Sequence, residues 1–284
     1  MSTQDFSVIT LNSQRNDHLR NLIRGIEKST LKPKELIVVY MNQTNELQVQ
    51  TSFSIKPFHI TTDHLPLAEA RNKGAEESSS DTLIFLDVDC IPSSTMFANI
   101  LTNEALGNSL LMATPRYLKS KIDQQPFNDR SLEDSSILHN SRKHLRAGIT
   151  QDYTSFWSLC FALTKDTFNT IGGFDSKYFG YGGEDTDFAL SAQLNVIPFQ
   201  ISDAVCFHQR HDVYKPPLQH LQDIITNSSY FYSKWQHWPM SGWLKDFVRL
   251  GYIEWDENSN KPIKIKRIPT ADELLLYKDS KSAY

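Results

Sequence analysis

Short apolar runs alternate with helix-like patterns along the first 115 residues of this chain. The runs are typical of strands buried on both faces, and the segments between them carry apolar residues three or four positions apart. This alternation predicts a parallel α/β sheet, because parallel strands need crossover connections that are usually helical. The predicted strands cover residues 6–11, 35–40, 58–60, 83–86 and 110–114, and the predicted helices cover residues 19–26 and 67–78.

The pattern is less regular in the second half of the chain. Residues 119–151 are polar with scattered basic side chains, so they form either an ordered lid over a ligand or a mobile helical insertion. A strand is predicted at residues 156–163, and apolar residues at helical spacing begin at Leu218. Residues 261–268 alternate basic and apolar side chains. That pattern favours an edge strand or a loose tail, while a peripheral membrane contact and a partner-binding tail stay open.

Composition narrows the classes of function. The chain has 284 residues, of which 39% are hydrophobic and 22% charged, as in globular proteins. A net charge of -4 without a long basic block argues against a nucleic-acid partner. No apolar run approaches the roughly 20 residues of a membrane span, and the polar opening is unlike a signal peptide. Cys90, Cys160 and Cys206 lie in or next to apolar segments, so buried free thiols and a cytoplasmic location are expected.

Two acids follow the predicted strand at residues 83–86. In an extended chain Asp87 and Asp89 would point to the same side, at the carboxyl end of a strand where open α/β sheets bind ligands. Paired carboxylates there suit a divalent cation that carries phosphate. The alternative is that one acid only caps a helix starting near Ser93.

A second candidate site combines glycines with acids. Five of the eleven glycines fall between residues 172 and 183, which indicates tight turns and a close approach of the backbone to something bulky. Glu184, Asp185 and Asp187 then open a predicted helix. The helix dipole explains one or two acids in a first turn, and a carboxylate beside aromatic side chains is a candidate general base.

A third candidate is a strand that ends on a histidine. Residues 205–207 are apolar and are followed by His208, with His211 three residues later. A histidine at a strand end is commonly structural, but imidazole is also a frequent metal ligand. In this chain order, the acids, the glycine–acid loop and the histidine could complete one metal and substrate site.

Together these segments resemble the glycosyltransferases of the GT-A fold. Residues 83–89 are similar to their Asp-x-Asp segment, and residues 70–74 (Ala-Arg-Asn-Lys-Gly) are similar to the Ala-Arg-Asn-x-Gly of glycosyltransferase family 2. Residues 172–187 resemble the Gly-Gly-Phe-Asp…Gly-Gly-Glu-Asp-x-Asp signature of the galactosyltransferase and N-acetylgalactosaminyltransferase C-terminal region. The resemblance covers residues 6–211.

The resemblance implies an α/β fold with a mixed, mainly parallel Rossmann-like sheet flanked by helices. The GT-A domain would span residues 1–215, with a nucleotide-sugar-binding half at 1–115 and an acceptor-binding, catalytic half at 152–215. Residues 216–284 would form a helical extension and tail.

The family's motifs also imply roles for individual residues. Asp87 and Asp89 would hold Mn²⁺ or Mg²⁺ against the donor diphosphate, with His208 as a further metal ligand and His211 as a less favoured choice. Asp185 would be the base of an inverting displacement, and Glu184 would bind sugar hydroxyls. The residues expected near the uridine and diphosphate are Arg15, Asn42, Gln43, Arg71, Asp87 and Asp89. This chain carries Asn42 where family members usually place an acid that reads the base.

The implied activity is transfer of a hexose or N-acetylhexosamine from a UDP-sugar to a hydroxyl acceptor such as a glycan. Two alternatives stay open: a nucleotidyltransferase that makes nucleotide sugars, and a non-catalytic carbohydrate-binding protein with the same fold. The loop at residues 11–15 has no glycine, whereas nucleotidyltransferases favour a glycine-rich, basic loop there. The sugar, the acceptor and the oligomeric state are left open by the sequence.

Overall fold

A mixed ten-stranded sheet with helices on both faces forms the centre of the structure. The computed structural model describes residues 5–122, 125–259 and 261–279. The start of the polar opening (residues 1–4) and the end of the predicted tail (residues 280–284) lie outside the described residues. The strands are β1 (Phe6–Asn12), β2 (Glu35–Met41), β3 (Ser54–Ile60), β4 (Thr82–Leu86), β5 (Cys90–Pro92), β6 (Leu110–Leu118), β7 (Ser136–Leu138), β8 (Gly148–Thr150), β9 (Cys160–Thr164), β10 (Phe199–His208), β11 (Val213–Tyr214), β12 (Ile253–Glu254), β13 (Lys264–Ile265) and β14 (Lys278–Asp279). The α-helices are α1 (Asn16–Lys28), α2 (Leu67–Glu77), α3 (Met96–Leu101), α4 (Asp129–Asp134), α5 (Lys165–Ile171), α6 (Glu184–Leu194), α7 (Leu221–Trp235), α8 (Ser241–Arg249) and α9 (Ala271–Tyr277).

The sheet confirms the predicted mixed α/β architecture. Its strand order is β3-β2-β1-β4-β9-β6-β10-β5, with β7 beside β6 and β8 beside β10. β3, β2, β1 and β4 run parallel, whereas β9 and β5 are antiparallel to their neighbours. The parallel strands β1, β2 and β4 therefore end at the same edge, and β10 ends beside the start of β5. This edge carries the candidate site.

The central strands are buried on both faces, as their apolar sequences predict. Along β1, Val8 packs into a core with α1 and α3, while the next residue, Ile9, packs into a second core with α2 and α6. Alternate side chains of a strand point to opposite faces, so one apolar run serves both cores. Gly74 lets α2 approach β1 closely, because a Cβ there would overlap the side chain of Ile9.

Three strands differ clearly from their predicted bounds, and the first of them, β3, begins at Ser54 rather than near residue 58. β6 continues through Pro115 to Leu118. On one side Pro115 pairs with β10, and on the other side it falls in the gap between the residues that pair with β9 and those that pair with β7. A proline is tolerated there because no neighbouring strand needs a backbone N–H from it on that side. β9 begins only at Cys160, opposite Leu86, because its partner β4 ends there. Residues 158 and 159 form a turn just before β9, residues 156 and 157 are irregular, and Phe156 is fully buried.

The segment at residues 119–151 is tied to the main sheet. Its described part contains α4, and its strands β7 and β8 pair with β6 and β10. These pairings favour the ordered alternative over a mobile insertion. All three cysteines are buried free thiols, as predicted.

The C-terminal residues form a small apolar core of their own. Helices α7 and α8 contribute Ile224, Leu244 and Phe247 to it, and β12 contributes Ile253. In the basic segment, β13 pairs with β12 as a short antiparallel strand. Among the described residues, no helix is both long enough and apolar enough to cross a bilayer.

Candidate active site

The two acids after β4 lie in a tight turn. β4 ends at Leu86, and the backbone N–H of Cys90 donates to the carbonyl of Asp87 over 2.8 Å. The extended conformation expected for residues 87–89 is therefore wrong, because the chain turns here to enter β5. The capping alternative is not observed either, since Thr95 occupies the N-cap of α3.

Asp89 lies between two histidines and an arginine. Its Oδ1 is 3.5 Å from Nε2 of His208, and its Oδ2 is 3.3 Å from Nε2 of His211 and 2.5 Å from Nη1 of Arg15. One ligand atom from each of Asp89, His208 and His211 lies within 4.8 Å of the others, so these three residues could hold a metal ion. Asp87 is not in this group, and its role as a ligand stays a prediction.

The protonation states in this group suit metal binding. Burial lowers the pKa of His208 to about 4, although Asp89 opposes the shift. Burial alone would raise the pKa of Asp89, but His208, His211 and Arg15 hold it well below its usual range. At neutral pH His208 is therefore a neutral imidazole and Asp89 a carboxylate, the forms in which both groups bind metals.

Arg71 connects the acid turn to the start of α6. This α2 residue is 4% exposed; its Nη1 donates to Oε1 of Glu184 over 3.1 Å, and its Nη2 lies 3.7 Å from Oδ1 of Asp87. Its guanidinium also lies over the ring of Phe174, 5.0 Å from the centroid. Burial raises the pKa of Asp87 to about 7, with Arg71 opposing and the charge of Asp89 adding to the shift.

Asp185 is ionisable near neutral pH. Burial, followed by the charge of Glu184, raises the pKa of Asp185 to about 6, while Arg71 opposes the shift. Its Oδ1 accepts from the backbone N–H of Thr186 over 2.7 Å. A carboxyl with this pKa can accept a proton near neutral pH, which a general base must do.

Asp187, two residues later, is buried among donors. It accepts from the hydroxyl of Tyr178 over 3.0 Å and from Nε1 of Trp235 over 2.7 Å, and Nζ of Lys234 lies 2.9 Å away. Asp187 is 1% exposed. Since Lys234 and Trp235 belong to α7, this acid connects helix α6 to the C-terminal region.

The glycine-rich loop packs against that same region. Gly180 has φ +68°, and a Cβ there would overlap the carboxylate of Asp223 on α7. The bulky neighbour expected from the glycine density is therefore part of the protein itself. Tyr181, half-buried in the loop, stacks on His220 and on Trp243 of α8 at centroid distances of 4.6 and 6.0 Å.

The residues expected near the nucleotide brace loops at the ends of β1 and β2. Gln43 is 6% exposed; its Oε1 accepts from the N–H of Gln14 over 2.6 Å, and its Nε2 donates to Oδ1 of Asn16 over 3.0 Å. Nδ2 of Asn42 donates to the carbonyl of His64 over 2.6 Å. The structure thus places Asn42 and Gln43 at this edge, and their contact with a nucleotide stays a prediction.

Some neighbours of the site were missed from the sequence. The ring of Tyr117 lies 4.7 Å from that of His208, and the ring of His18 lies 6.0 Å from that of His211. Tyr117 lies in an apolar strand and His18 in an amphipathic helix, so no motif in the neighbouring sequence marks either residue as part of the site. His211 was named from the sequence as the less favoured metal ligand, and the structure places it beside Asp89.

This sheet, with acids at a strand end facing a glycine–acid helix start, has the architecture of the GT-A glycosyltransferases. The chain belongs to the family described as glycosyltransferase like family 2, whose model matches residues 7–216. Comparison with curated protein sequences found no match. The family match confirms the predicted glycosyltransferase class.

Solved structures share the fold of this chain. The chain resembles S. aureus TarS 1–349 (TM-score 0.54, 14% identity, 79% of this chain and 64% of that one) and its complex with UDP-GlcNAc (TM-score 0.54, 15% identity, 73% and 59%). It also resembles GalNAc-T7 with UDP, GalNAc and Mn²⁺ (TM-score 0.52, 14% identity, 81% and 50%). The chain spans less than two thirds of each of these structures, and at such identities the likeness concerns the fold.

Proposed function

We propose that this protein is a metal-dependent, inverting glycosyltransferase that moves a hexose or N-acetylhexosamine from a UDP-sugar to a glycan hydroxyl. The observation that carries the proposal is the contact of Arg71 with both Asp87 and Glu184. This buried arginine joins the acid turn to the start of α6, so the metal-binding candidates and the candidate base face one site. The ligands of the TarS and GalNAc-T7 structures, UDP-GlcNAc, UDP and Mn²⁺, are consistent with such a donor and metal.

The residues at the acid turn fit a divalent cation. Oδ1 of Asp89 is buried without a hydrogen-bond donor among the described residues, and two imidazole nitrogens lie near the same carboxylate. One oxygen and two nitrogen ligands favour Mn²⁺ over Mg²⁺, which prefers oxygen ligands. Asp89, His208 and His211 would hold the ion, with Asp87 beside them. The bound cation supplies positive charge for the departing nucleoside diphosphate.

Asp185 is the base of the proposed reaction. It takes the proton of the acceptor hydroxyl while that oxygen attacks the anomeric carbon from the side opposite the leaving group, which inverts the configuration. Glu184 binds sugar hydroxyls and is held by Arg71. The half-buried stack of Tyr181, His220 and Trp243 offers an aromatic surface for a sugar ring near these acids.

The first experiment is calorimetric titration of the protein with UDP, with and without Mn²⁺. Wild-type protein is expected to bind UDP only with Mn²⁺, Asp89→Ala to lose this binding, and Asp203→Ala to keep it, because Asp203 is exposed on β10. Equal binding by Asp89→Ala would contradict the metal assignment. Mg²⁺ in place of Mn²⁺ is expected to give weaker UDP binding.

Screening of UDP-sugars then tests the chemistry. Release of UDP and an inverted anomeric configuration in the product, read by NMR, are the expected results. Release of pyrophosphate would identify a nucleotidyltransferase instead. Sugar binding without any donor turnover would identify a carbohydrate-binding protein.

A further inference from the structure

Arg142 is a buried cation in the segment between β7 and β8. It is 9% exposed, and its guanidinium lies 3.4 Å from the ring centroid of Trp157. Its Nη1 donates to the backbone carbonyl of Ser155. The side chain is therefore held by a cation–π contact and one hydrogen bond, and its orientation is set before any ligand binds.

The other terminal nitrogen of Arg142 has no acceptor in the part of the chain that the structure describes. Nη2 is buried and makes no hydrogen bond within the described residues, and no carboxylate there forms an ion pair with this guanidinium. Burial lowers the pKa of Arg142 to about 10, against the influence of Tyr117, Asp185 and Asp152. The group is still charged at neutral pH. A buried charged donor without a partner is costly, so this arrangement is expected where a ligand supplies the acceptor.

Arg142 is linked to both chemical parts of the site. The ring of Trp157 lies 5.2 Å from that of His139, the ring of His139 lies 5.3 Å from that of Tyr117, and the ring of Tyr117 lies 4.7 Å from that of His208. Arg142 is also near enough to Asp185 for their charges to influence each other's pKa. Ring contacts therefore connect the guanidinium to a candidate metal ligand, and its charge acts on the candidate base.

We infer that Arg142 binds the terminal phosphate of the donor's diphosphate. This inference rests on the proposed function, in which the bond between the donor sugar and that phosphate breaks. The metal would lie on the phosphate side of this bond, and the base would act on the opposite side. The fixed, planar guanidinium can donate to a phosphate oxygen, and it offers positive charge as negative charge grows on the departing group. The hydrogen bond of Arg142 goes to the carbonyl of Ser155, and among the described residues Arg142 and Asp185 form no ion pair.

The test compares UDP, which has the terminal phosphate, with UMP, which lacks it. Calorimetric titrations with saturating Mn²⁺ would use wild-type protein, Arg142→Gln and the control Arg146→Gln. Arg146 is exposed in the same segment, and its Nη1 contacts only backbone carbonyls among the described residues. Arg142→Gln is expected to weaken UDP binding about tenfold or more and to leave UMP binding unchanged. Arg146→Gln is expected to bind both nucleotides like wild type.

Two results would overturn the inference: unchanged UDP affinity in Arg142→Gln, or equal losses for UDP and UMP, which would place Arg142 at another part of the nucleotide. Thermal melting checks that each variant is folded. If Arg142→Gln does not fold, Arg142→Lys serves, and an intermediate loss specific to UDP is expected because ammonium lacks the planar fork. If wild-type protein binds no UDP, the proposed function fails. Titration of wild-type protein, Arg142→Gln and Arg146→Gln with inorganic pyrophosphate then decides the role of Arg142 alone.

Discussion

Asp185 and Asp187 lie two residues apart on one helix, yet the structure gives them opposite environments. Asp187 is surrounded by the donors of Tyr178, Lys234 and Trp235. Asp185 accepts from the backbone of its own neighbour, and its pKa is raised by burial and by a second acid, Glu184. Side chains two apart on a helix point in different directions, so one carboxylate can fasten the helix while the other faces a substrate.

The comparison shows that the acids of one motif can have different roles. Asp187 accepts hydrogen bonds from several donors and stabilises the fold, whereas Asp185 has a raised pKa and can exchange a proton near neutral pH. Sequence alone makes the acids of this motif look equivalent. Their partners, most of them far away in the chain, decide which one is available for chemistry.

The largest effect is expected for Asp185→Asn. The amide keeps the shape of the side chain but cannot accept the proton, so turnover of the accepted UDP-sugar should fall by at least about a hundredfold. UDP affinity and the melting temperature should stay close to wild type, because the change acts mainly in the transition state. UDP release at saturating donor and acceptor measures the effect, and near-normal turnover would refute the assignment of the base.

Asp187→Ala should instead lower stability. Removal of this carboxylate leaves the hydroxyl of Tyr178 and the indole N–H of Trp235 without an acceptor, so the free energy of unfolding should fall by about 3 kcal/mol. Guanidinium denaturation measures it. Asp187→Asn keeps one acceptor oxygen and should lose less, and exposed Asp203→Ala should change stability by under about 0.5 kcal/mol. Equal stability of Asp187→Ala and wild type would remove the distinction between the two acids.

Gly180→Ala tests the packing of the glycine loop on the C-terminal region. Both φ +68° and the carboxylate of Asp223 disfavour a Cβ at this position. The free energy of unfolding should therefore fall by about 1–2 kcal/mol. The matched control is Gly242→Ala on α8, where a Cβ meets nothing within 4 Å and the change should be neutral or slightly stabilising.

The smallest effect is a shift in pH dependence. Since Asp185 must be deprotonated to act as a base and its pKa is about 6, kcat/KM should rise with pH through about pH 6. The charge of Glu184 contributes to this raised pKa, so Glu184→Gln should lower the pKa of Asp185 and move the midpoint to lower pH. The pH profile of kcat/KM for both proteins measures the shift. A midpoint that stays or moves upward would show that Glu184 does not act on Asp185 in this way.

Local patterns were sufficient for most of the regular structure. β1, β2 and β4 lie close to their predicted positions because a strand buried on both faces has a continuous apolar sequence. Helix α6 begins at Glu184, where the glycines end and the acids begin. The family's motifs led to Asp89 and His208, which the structure brings together.

Features that depend on distant partners could not be predicted in this way. The bounds of β6 and β9 follow from where β4, β7 and β10 pair with them, and a single apolar run carries no such information. Arg71 meets Glu184 across 113 positions of sequence. Arg142 is one of several basic residues in a polar segment, and only its packing on Trp157 distinguishes it.

The attachment of α7 to helix α6 has a consequence for protein engineering. The family match ends at residue 216, but Asp223, Lys234 and Trp235 lie beyond it and support the glycine loop and α6. A chimera that joins another transferase's C-terminal region at residue 216 would separate each of these contacts from its partner. The unit to exchange between family members is therefore the glycine loop together with α7, and the recombination point belongs upstream of Gly172.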